Sequence, residues 1–383
     1  MEFRDLKQQY EELKFDIDRS VKEVMQDANF IMGRQVSQLE NELAEYVGTK
    51  HCITCANGTD ALQLALMSWG IGLGDAVFVP DFTFFSSGEV VDLQGATPIF
   101  VDVNDKTFNI DVKKLEKKII EVLEEGKLRP RVIIAVDLFG LPADYEEIRI
   151  LAEKYKLLIL EDGAQGFGGM IYGKRACSFG DIATTSFFPA KPLGCYGDGG
   201  AIFTDNDELA DLLASYKIHG KGNGKYDNVR VGMNSRLDTL QAAVLLVKLK
   251  AFKEYELQRM NDLARLYETE LKNYVMTPTI PLGYTSSWAQ YTIILHNTEE
   301  REKLQSYLEK QAIPSMVYYR KPMHRQKAFS KYHYQEEEFT VTNRLCDTVL
   351  SLPIHPYMKE DEIQSVADCI KGFEGFVQRS TML

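Results

Sequence analysis

Leu157-Leu158-Ile159-Leu160-Glu161-Asp162-Gly163-Ala164-Gln165 is an apolar run that ends in two carboxylates and a glycine. A short continuous apolar run of this kind reads as a strand buried on both faces. Open α/β sheets bind ligands at the carboxyl ends of such strands, which puts Asp162 at a ligand-binding edge. An aspartate there can equally be an ordinary helix cap. The rhythm repeats outward on both sides. Upstream come Cys52-Ile53-Thr54, a helix from Asp60 to Ser68, Ala76 to Pro80, a helix through Val90, Pro98 to Val103, Val132 to Val136 and a helix from Tyr145 to Tyr155. Downstream come Ile182 to Phe187 and Ala201 to Thr204. Strands alternating with helices predict an α/β fold whose mostly parallel central sheet is covered on both faces.

At the N-terminal side a helical pattern runs from Leu13 to Val47 with a break near Gly33. At the other side one long helical region is expected over Thr239 to Tyr274. A proline- and glycine-bearing loop follows over Val275 to Ser287, then a strand over Gln290 to Leu295. Asn297 with Glu300 forms a capping box for the next helix, and Val317-Tyr318-Tyr319 reads as extended again. This divides the chain into N-terminal helices plus a large α/β domain over 1–250 and a small C-terminal α+β domain over 251–383.

The 383 residues are 45% hydrophobic and 26% charged, which suits a globular protein with a sizeable core. A net charge of −12 argues against nucleic acid and anionic membrane as partners, so any anionic ligand needs a local basic pocket. No basic-then-apolar leader opens the chain, and no run reaches the roughly 18 apolar residues of a spanning helix. A cytoplasmic location is expected. The six cysteines are scattered, and the lone Cys52-Ile53-Thr54-Cys55 has no second pair, so it reads as structural. The histidines lack ligand spacing, and no metal is expected.

The chemistry concentrates in Ser186-Phe187-Phe188-Pro189-Ala190-Lys191-Pro192-Leu193-Gly194, followed by Gly197-Asp198-Gly199-Gly200. A buried lysine amine can add to an aldehyde and shuttle protons. A strand-end carboxylate such as Asp162 can keep a pyridine nitrogen protonated, and Ser186 beside glycines can hold a phosphate. Those are the requirements of pyridoxal phosphate. Asn57-Gly58-Thr59-Asp60 stands between a strand and a helix, where free N–H groups and the helix dipole favour phosphate; alone it is equally a common cap. Gln165 can reach a cofactor oxygen or be a polar loop residue. One of Phe82, Phe84 and Phe85 can stack on a ring, or each can be core. Gly168 to Lys174 matches GxxxxGK, but Arg175 stands where a P-loop has Ser or Thr.

In combination, Glu161 to Gln165, Ser186 to Gly200 and Gly232-Met233-Asn234-Ser235-Arg236-Leu237-Asp238-Thr239-Leu240-Gln241-Ala242-Ala243 resemble the nucleotide-sugar aminotransferases of the DegT/DnrJ/StrS family over nearly the whole chain. The resemblance implies a fold type I pyridoxal 5'-phosphate enzyme, with pyridoxamine 5'-phosphate as the form between its two half-reactions. It implies Lys191 as the Schiff-base lysine and Asp162 as the partner of the pyridine nitrogen. Gly58, Thr59, Asp60 and Ser186 would hold the phosphate, Phe84 would stack on the ring and Gln165 would contact its hydroxyl. Asn234 would reach the cofactor of a neighbouring subunit, so a homodimer with shared active sites is implied.

The amino donor implied is L-glutamate and the acceptor a nucleotide-linked keto sugar, destined for amino sugars of a polysaccharide. The lysine segment and Asn234 to Ala243 are similar to aminotransferases acting on UDP-2-acetamido-3-keto hexuronates, with a dTDP- or GDP-linked 3-keto or 4-keto 6-deoxyhexose as the alternative. Arg236 can pair a sugar carboxylate in bidentate fashion. Tyr318, Tyr319, Arg320 and His324 belong to the candidate substrate loop, and Lys217, His219, Lys221, Lys225, Arg230, Lys321 and Arg325 are further candidate cations. Two positions depart from the family pattern: Pro192 where Asn is common, and Arg320 where proline is frequent. A non-catalytic regulatory protein on this scaffold would be expected to lack Lys191 or Asp162; both are present.

Overall fold

The computed structural model of the chain describes residues 1–224 and 226–376. Two helices lead in, α1 (Leu6–Asp27) and α2 (Arg34–Val47). Then come β1 (His51–Cys55), α3 (Gly58–Ser68), β2 (Asp75–Pro80), α4 (Ser86–Leu93), β3 (Thr97–Val101), α5 (Val112–Glu125), β4 (Arg129–Val136), α6 (Tyr145–Tyr155) and β5 (Leu158–Asp162). A small ribbon of β6 (Met170–Ile171) and β7 (Lys174–Arg175) precedes β8 (Ile182–Ser186), β9 (Gly200–Thr204) and α7 (Asp207–Tyr216). The rest comprises α8 (Thr239–Ala251), α9 (Leu257–Leu271), β10 (Tyr284–Thr285), β11 (Tyr291–Ile294), α10 (Thr298–Lys310), α11 (Thr340–Thr348), β12 (Val349–Leu352) and α12 (Glu360–Lys371).

Seven strands form one sheet in the order β1-β9-β8-β5-β4-β2-β3. The neighbours from β3 across to β8 run parallel, while β9 runs against both β8 and β1. The apolar runs explain this arrangement. All six residues of β2 are buried, as a strand covered on both faces requires. At its carboxyl end β5 pairs Asp162 with Val136 of β4 on one side and with Thr184 of β8 on the other. Asp162 therefore stands at the middle of the sheet's carboxyl edge.

A separate core forms around β11 and β12, where Tyr267, Tyr291, Leu304 and Ile363 pack together. The chain then returns to the sheet: Met323, Phe329, Phe339 and Leu345 join the core that holds Phe100 and Val103. Asn297 caps α10 by accepting from the Glu300 N–H at 2.9 Å. The helical region expected over 239–274 is present as α8 and α9, joined without a break through a π turn at Phe252–Glu256 in which Phe252 and Glu256 are buried. One expectation is corrected. Val317–Tyr319 is not a strand. Met316 makes one bridge to Ser351, and the chain then turns at Tyr318 and Tyr319, because both rings are drawn to a cavity wall.

Phe78 of β2 is fully buried. Phe78→Ala is expected to lower the unfolding free energy by about 3–5 kcal/mol, measured by urea denaturation. A loss under about 1 kcal/mol would mean that this strand is not central to the core.

Candidate active site

The first wall of the site is the turn into α3. Asn57 accepts a hydrogen bond from the Asp60 N–H at 2.8 Å, while the Gly58 and Thr59 N–H groups have no intrahelical acceptor. With the helix dipole they form an anion-binding terminus. Two glycines let three segments meet here. A Cβ on Gly58 would stand 2.7 Å from the Ser186 Cβ, and one on Gly200 would stand 2.5 Å from the Asn57 carbonyl oxygen. The Thr59 hydroxyl pairs with Ser86 Oγ at 2.9 Å.

Asp162 forms the opposite wall and is buried. Its Oδ2 accepts from Ser87 Oγ at 2.7 Å and its Oδ1 from the Ala164 N–H at 3.2 Å. Burial pushes the carboxyl above its usual range, and Ser87, the Lys191 charge and the Ala164 N–H pull it back. Strand alternation sends Glu161 to the other face. There its carboxylate accepts N–H groups from Cys177, from Phe179 at 2.6 Å and from Gly180 at 3.0 Å. Asp137 lies beside it with Oδ2 buried and without a donor. Burial and the Glu161 charge push Asp137 well above the carboxylate range, and burial raises Glu161 too against the pull of its N–H donors.

Lys191 is half-buried in the loop between β8 and β9. Burial lowers its proton affinity, the Asp162 charge opposes, and Arg4 lowers it further. Gln165 accepts from the Phe139 N–H at 2.7 Å and donates to the Tyr319 hydroxyl at 3.0 Å. The exposed Phe84 ring stands 6.3 Å from that of Tyr319.

Gly58, Thr59, Phe84, Asp162, Gln165, Ser186, Lys191, Tyr318 and Tyr319 thus line one cavity of about 440 Å³. Asn57, Phe188 and Asp198, which stand in the quoted motifs without a role of their own, line it too, as does Gln290, which sequence reasoning places only in a strand. Ser87, also missed, carries no local signal: its role is visible only once α4 docks against β5.

The remaining candidates lie elsewhere. Asp60 is one residue beyond Thr59, about 100° around the helix, and does not line the cavity. His324, expected at the substrate, does not line the cavity and has the contacts of a structural anchor. It is buried, stacks on Phe339 at 4.3 Å and has both ring nitrogens engaged, with Asp81 at 2.7 Å and Glu336 at 3.2 Å. Burial works against its charge, but the two carboxylates raise its proton affinity overall. Arg320 points away, donating to Gln305 at 3.0 Å, and exposed Lys321 lies outside the cavity.

Other cations are also consumed by the fold. Arg325 pairs with Glu336, Arg230 donates to Ser215 at 2.5 Å, and Lys217 is buried against Glu40 and the Thr54 carbonyl. Lys225 lies outside the described residues. His219, Lys221 and Arg236 line a second, more open surface pocket of about 630 Å³. Arg236 donates there to Asn234 at 2.5 Å. Cys52 and Cys55 are buried with their thiols pushed up by burial, Cys55 to about 12.

The donor set fits pyridoxal phosphate. Thr59, Ser186 and the α3 terminus suit a phosphate dianion, and the glycines leave room only for backbone around it. Asp162 suits a protonated ring nitrogen, and Lys191 is an amine held toward its neutral, nucleophilic form.

The profile of the DegT/DnrJ/EryC1/StrS aminotransferase family matches residues 11–371. UDP-2-acetamido-2-deoxy-3-oxo-D-glucuronate aminotransferase of Pseudomonas aeruginosa is 42% identical over 96% of this chain and 98% of its own length. A DegT DnrJ EryC1 StrS aminotransferase from Brucella abortus, solved by crystallography, is 47% identical with a TM-score of 0.94, covering 98% of this chain and 100% of that one. NtdA from Bacillus subtilis, solved with bound cofactor PMP, is 32% identical with a TM-score of 0.84, covering 94% of this chain and 82% of that one.

Gly58→Val places a side chain against Ser186 and is expected to weaken retention of added pyridoxal phosphate at least about tenfold, or 1.4 kcal/mol, with the far-ultraviolet circular dichroism unchanged. Retention at the unsubstituted level would reject the cradle.

Proposed function

This chain belongs to the DegT/DnrJ/EryC1/StrS aminotransferase family, and from that premise we propose that it moves the amino group of L-glutamate to the ketone of UDP-2-acetamido-2-deoxy-3-keto-glucuronate. The product is the 3-amino sugar. The chain is a pyridoxal-phosphate-dependent sugar aminotransferase. The observation that carries the chemistry is one cavity holding Lys191 and Asp162 with the phosphate cradle. The choice of sugar is supported by the 42% identical Pseudomonas aeruginosa relative.

Pyridoxal phosphate, when bound, supplies an aldehyde that captures amines and a ring that accepts the electrons of a broken C–H bond. The residues of this chain do the rest. Thr59, Ser186 and the α3 terminus would anchor the phosphate, and Asp162, whose ionised form Ser87 and Ala164 favour, would hold the ring nitrogen. Lys191 Nζ takes the proton from the amino-bearing carbon of glutamate. In the second half it delivers a proton to the carbon that was the sugar ketone. Its lowered proton affinity suits both directions.

Among the described residues Lys191 is the only lysine or arginine lining the cavity, and Asp162 and Asp198 line it as well. Glutamate and a nucleotide sugar are polyanions and need more positive charge than that. Lys221, His219 and Arg236 sit on a surface flanked by exposed Met32 and Val231. A second copy docking there completes each site of a homodimer, with Asn234 toward the phosphate and Arg236 toward the sugar carboxylate. The cytoplasm is the proposed location, where free cysteines stay reduced.

Lys191→Ala is expected to abolish turnover. L-Glutamate should bleach the near-visible cofactor band of the purified protein, and the UDP keto sugar should restore it. A band bleached by glutamate but untouched by the sugar would reject the substrate, and a band indifferent to glutamate would reject the transaminase reading. Mixing inactive Lys191→Ala and Asn234→Ala protomers should regenerate activity through hybrid dimers; no recovery despite hybrid formation would overturn the shared site.

A further inference from the structure

Residues ahead of α1 run behind Lys191. Arg4 Nη2 donates to the main-chain carbonyl of Lys191 at 2.7 Å, with the Pro192 carbonyl at 3.4 Å. Arg4 Nη1 is sealed from solvent and has no hydrogen-bond acceptor among the described residues. The adjoining Phe3 ring lies 6.3 Å from the ring of Tyr318, which lines the cavity.

The surroundings do not explain Arg4 as a stabilising ion pair. Its counter-charge is buried Glu256, which already accepts from Gln9 at 3.0 Å and from the Tyr357 hydroxyl. Lys248, also buried, competes for the same carboxylate, and His355 feels the Arg4 charge as well. One buried and one half-buried cation thus share one carboxylate, and desolvation of that kind costs stability when incompletely paired. What Arg4 does satisfy is the backbone of the lysine loop.

We propose that Arg4 is a positioning residue for Lys191, clamping the main chain of residues 191–192 from behind while Phe3 fastens Tyr318, so that one arm holds two walls of the cavity. This rests on Lys191 being the reactive amine. The amine feels the charges of Asp162, which opposes the effect of burial, and of Arg4, which favours its neutral form.

The test compares Arg4→Met and Arg4→Lys with the unsubstituted protein. In cofactor-free protein, acetylation of Lys191 by acetic anhydride is followed against pH by peptide mass spectrometry. Arg4→Met removes the charge and is expected to raise the midpoint by roughly half a unit or more. It should also lower kcat about ten- to a hundredfold through misplacement of the amine. Arg4→Lys retains a charge but not the planar fork; it should restore the midpoint and leave kcat low. An unshifted midpoint in folded Arg4→Met, with only the melting temperature lowered, overturns the proposal. If Arg4→Met does not fold, Arg4→Lys decides: a full kcat overturns the proposal and a reduced kcat supports it. Borohydride reduction of the cofactor-loaded unsubstituted protein should label Lys191; a label elsewhere would sink the underlying reading rather than the clamp.

Discussion

A carboxylate buried at the end of a central strand must be compensated, and the compensation of Asp162 organises this active site. Left alone, it would take up a proton and lose the charge that its proposed role requires. Ser87 from α4, the Ala164 N–H from its own turn and the charge of Lys191 oppose that. Each comes from a different segment, so α4, the turn after β5 and the loop after β8 must all converge on one point. The sheet order, which puts β5 between β4 and β8, makes the convergence possible.

The neighbouring carboxylates show what happens without such compensation. Asp137 and Glu161 are as deeply buried as Asp162. Burial pushes both above the carboxylate range; three backbone N–H groups oppose this at Glu161, while Asp137, with Oδ2 lacking a donor and the Glu161 charge beside it, is pushed well above. Two adjacent residues of β5, Glu161 and Asp162, thus have separate tasks because alternation along a strand puts them on opposite faces. One fastens the loop over 177–180 and the other serves the cavity. The proposed phosphate cradle is equally a matter of close approach. Gly58 and Gly200 let the β1–α3 turn, β8 and β9 come within distances that no side chain permits.

Charge is distributed with the same economy. Lys217, Arg230 and Arg325 are consumed by structural partners, and His324 is held by Asp81 and Glu336. Among the candidate cations of the described residues, Lys191 lines the cavity, while His219, Lys221 and Arg236 line the more open surface pocket, which is why the proposed site draws on two copies of the chain. Arg4 is a different case, a cation directed at backbone rather than at ligand.

Much of the fold and of the site is legible in the sequence because it depends on local patterns. Apolar runs without alternation dictate buried strands, Asn297 ahead of Glu300 dictates a cap, and a lysine between aromatic and glycine segments marks the chemistry. Asp162 and Lys191 can be paired as types, since their chemistry is complementary. Sequence alone does not decide that Ser87 meets Asp162 from 75 residues away, that Arg4 reaches the carbonyl of Lys191 across 187 residues, or that His324 turns inward. Those outcomes depend on where distant segments are packed. Local sequence determines the elements and their chemical inventory, whereas tertiary structure decides which groups become partners, because burial and hydrogen-bond satisfaction are settled only among segments brought together by the fold.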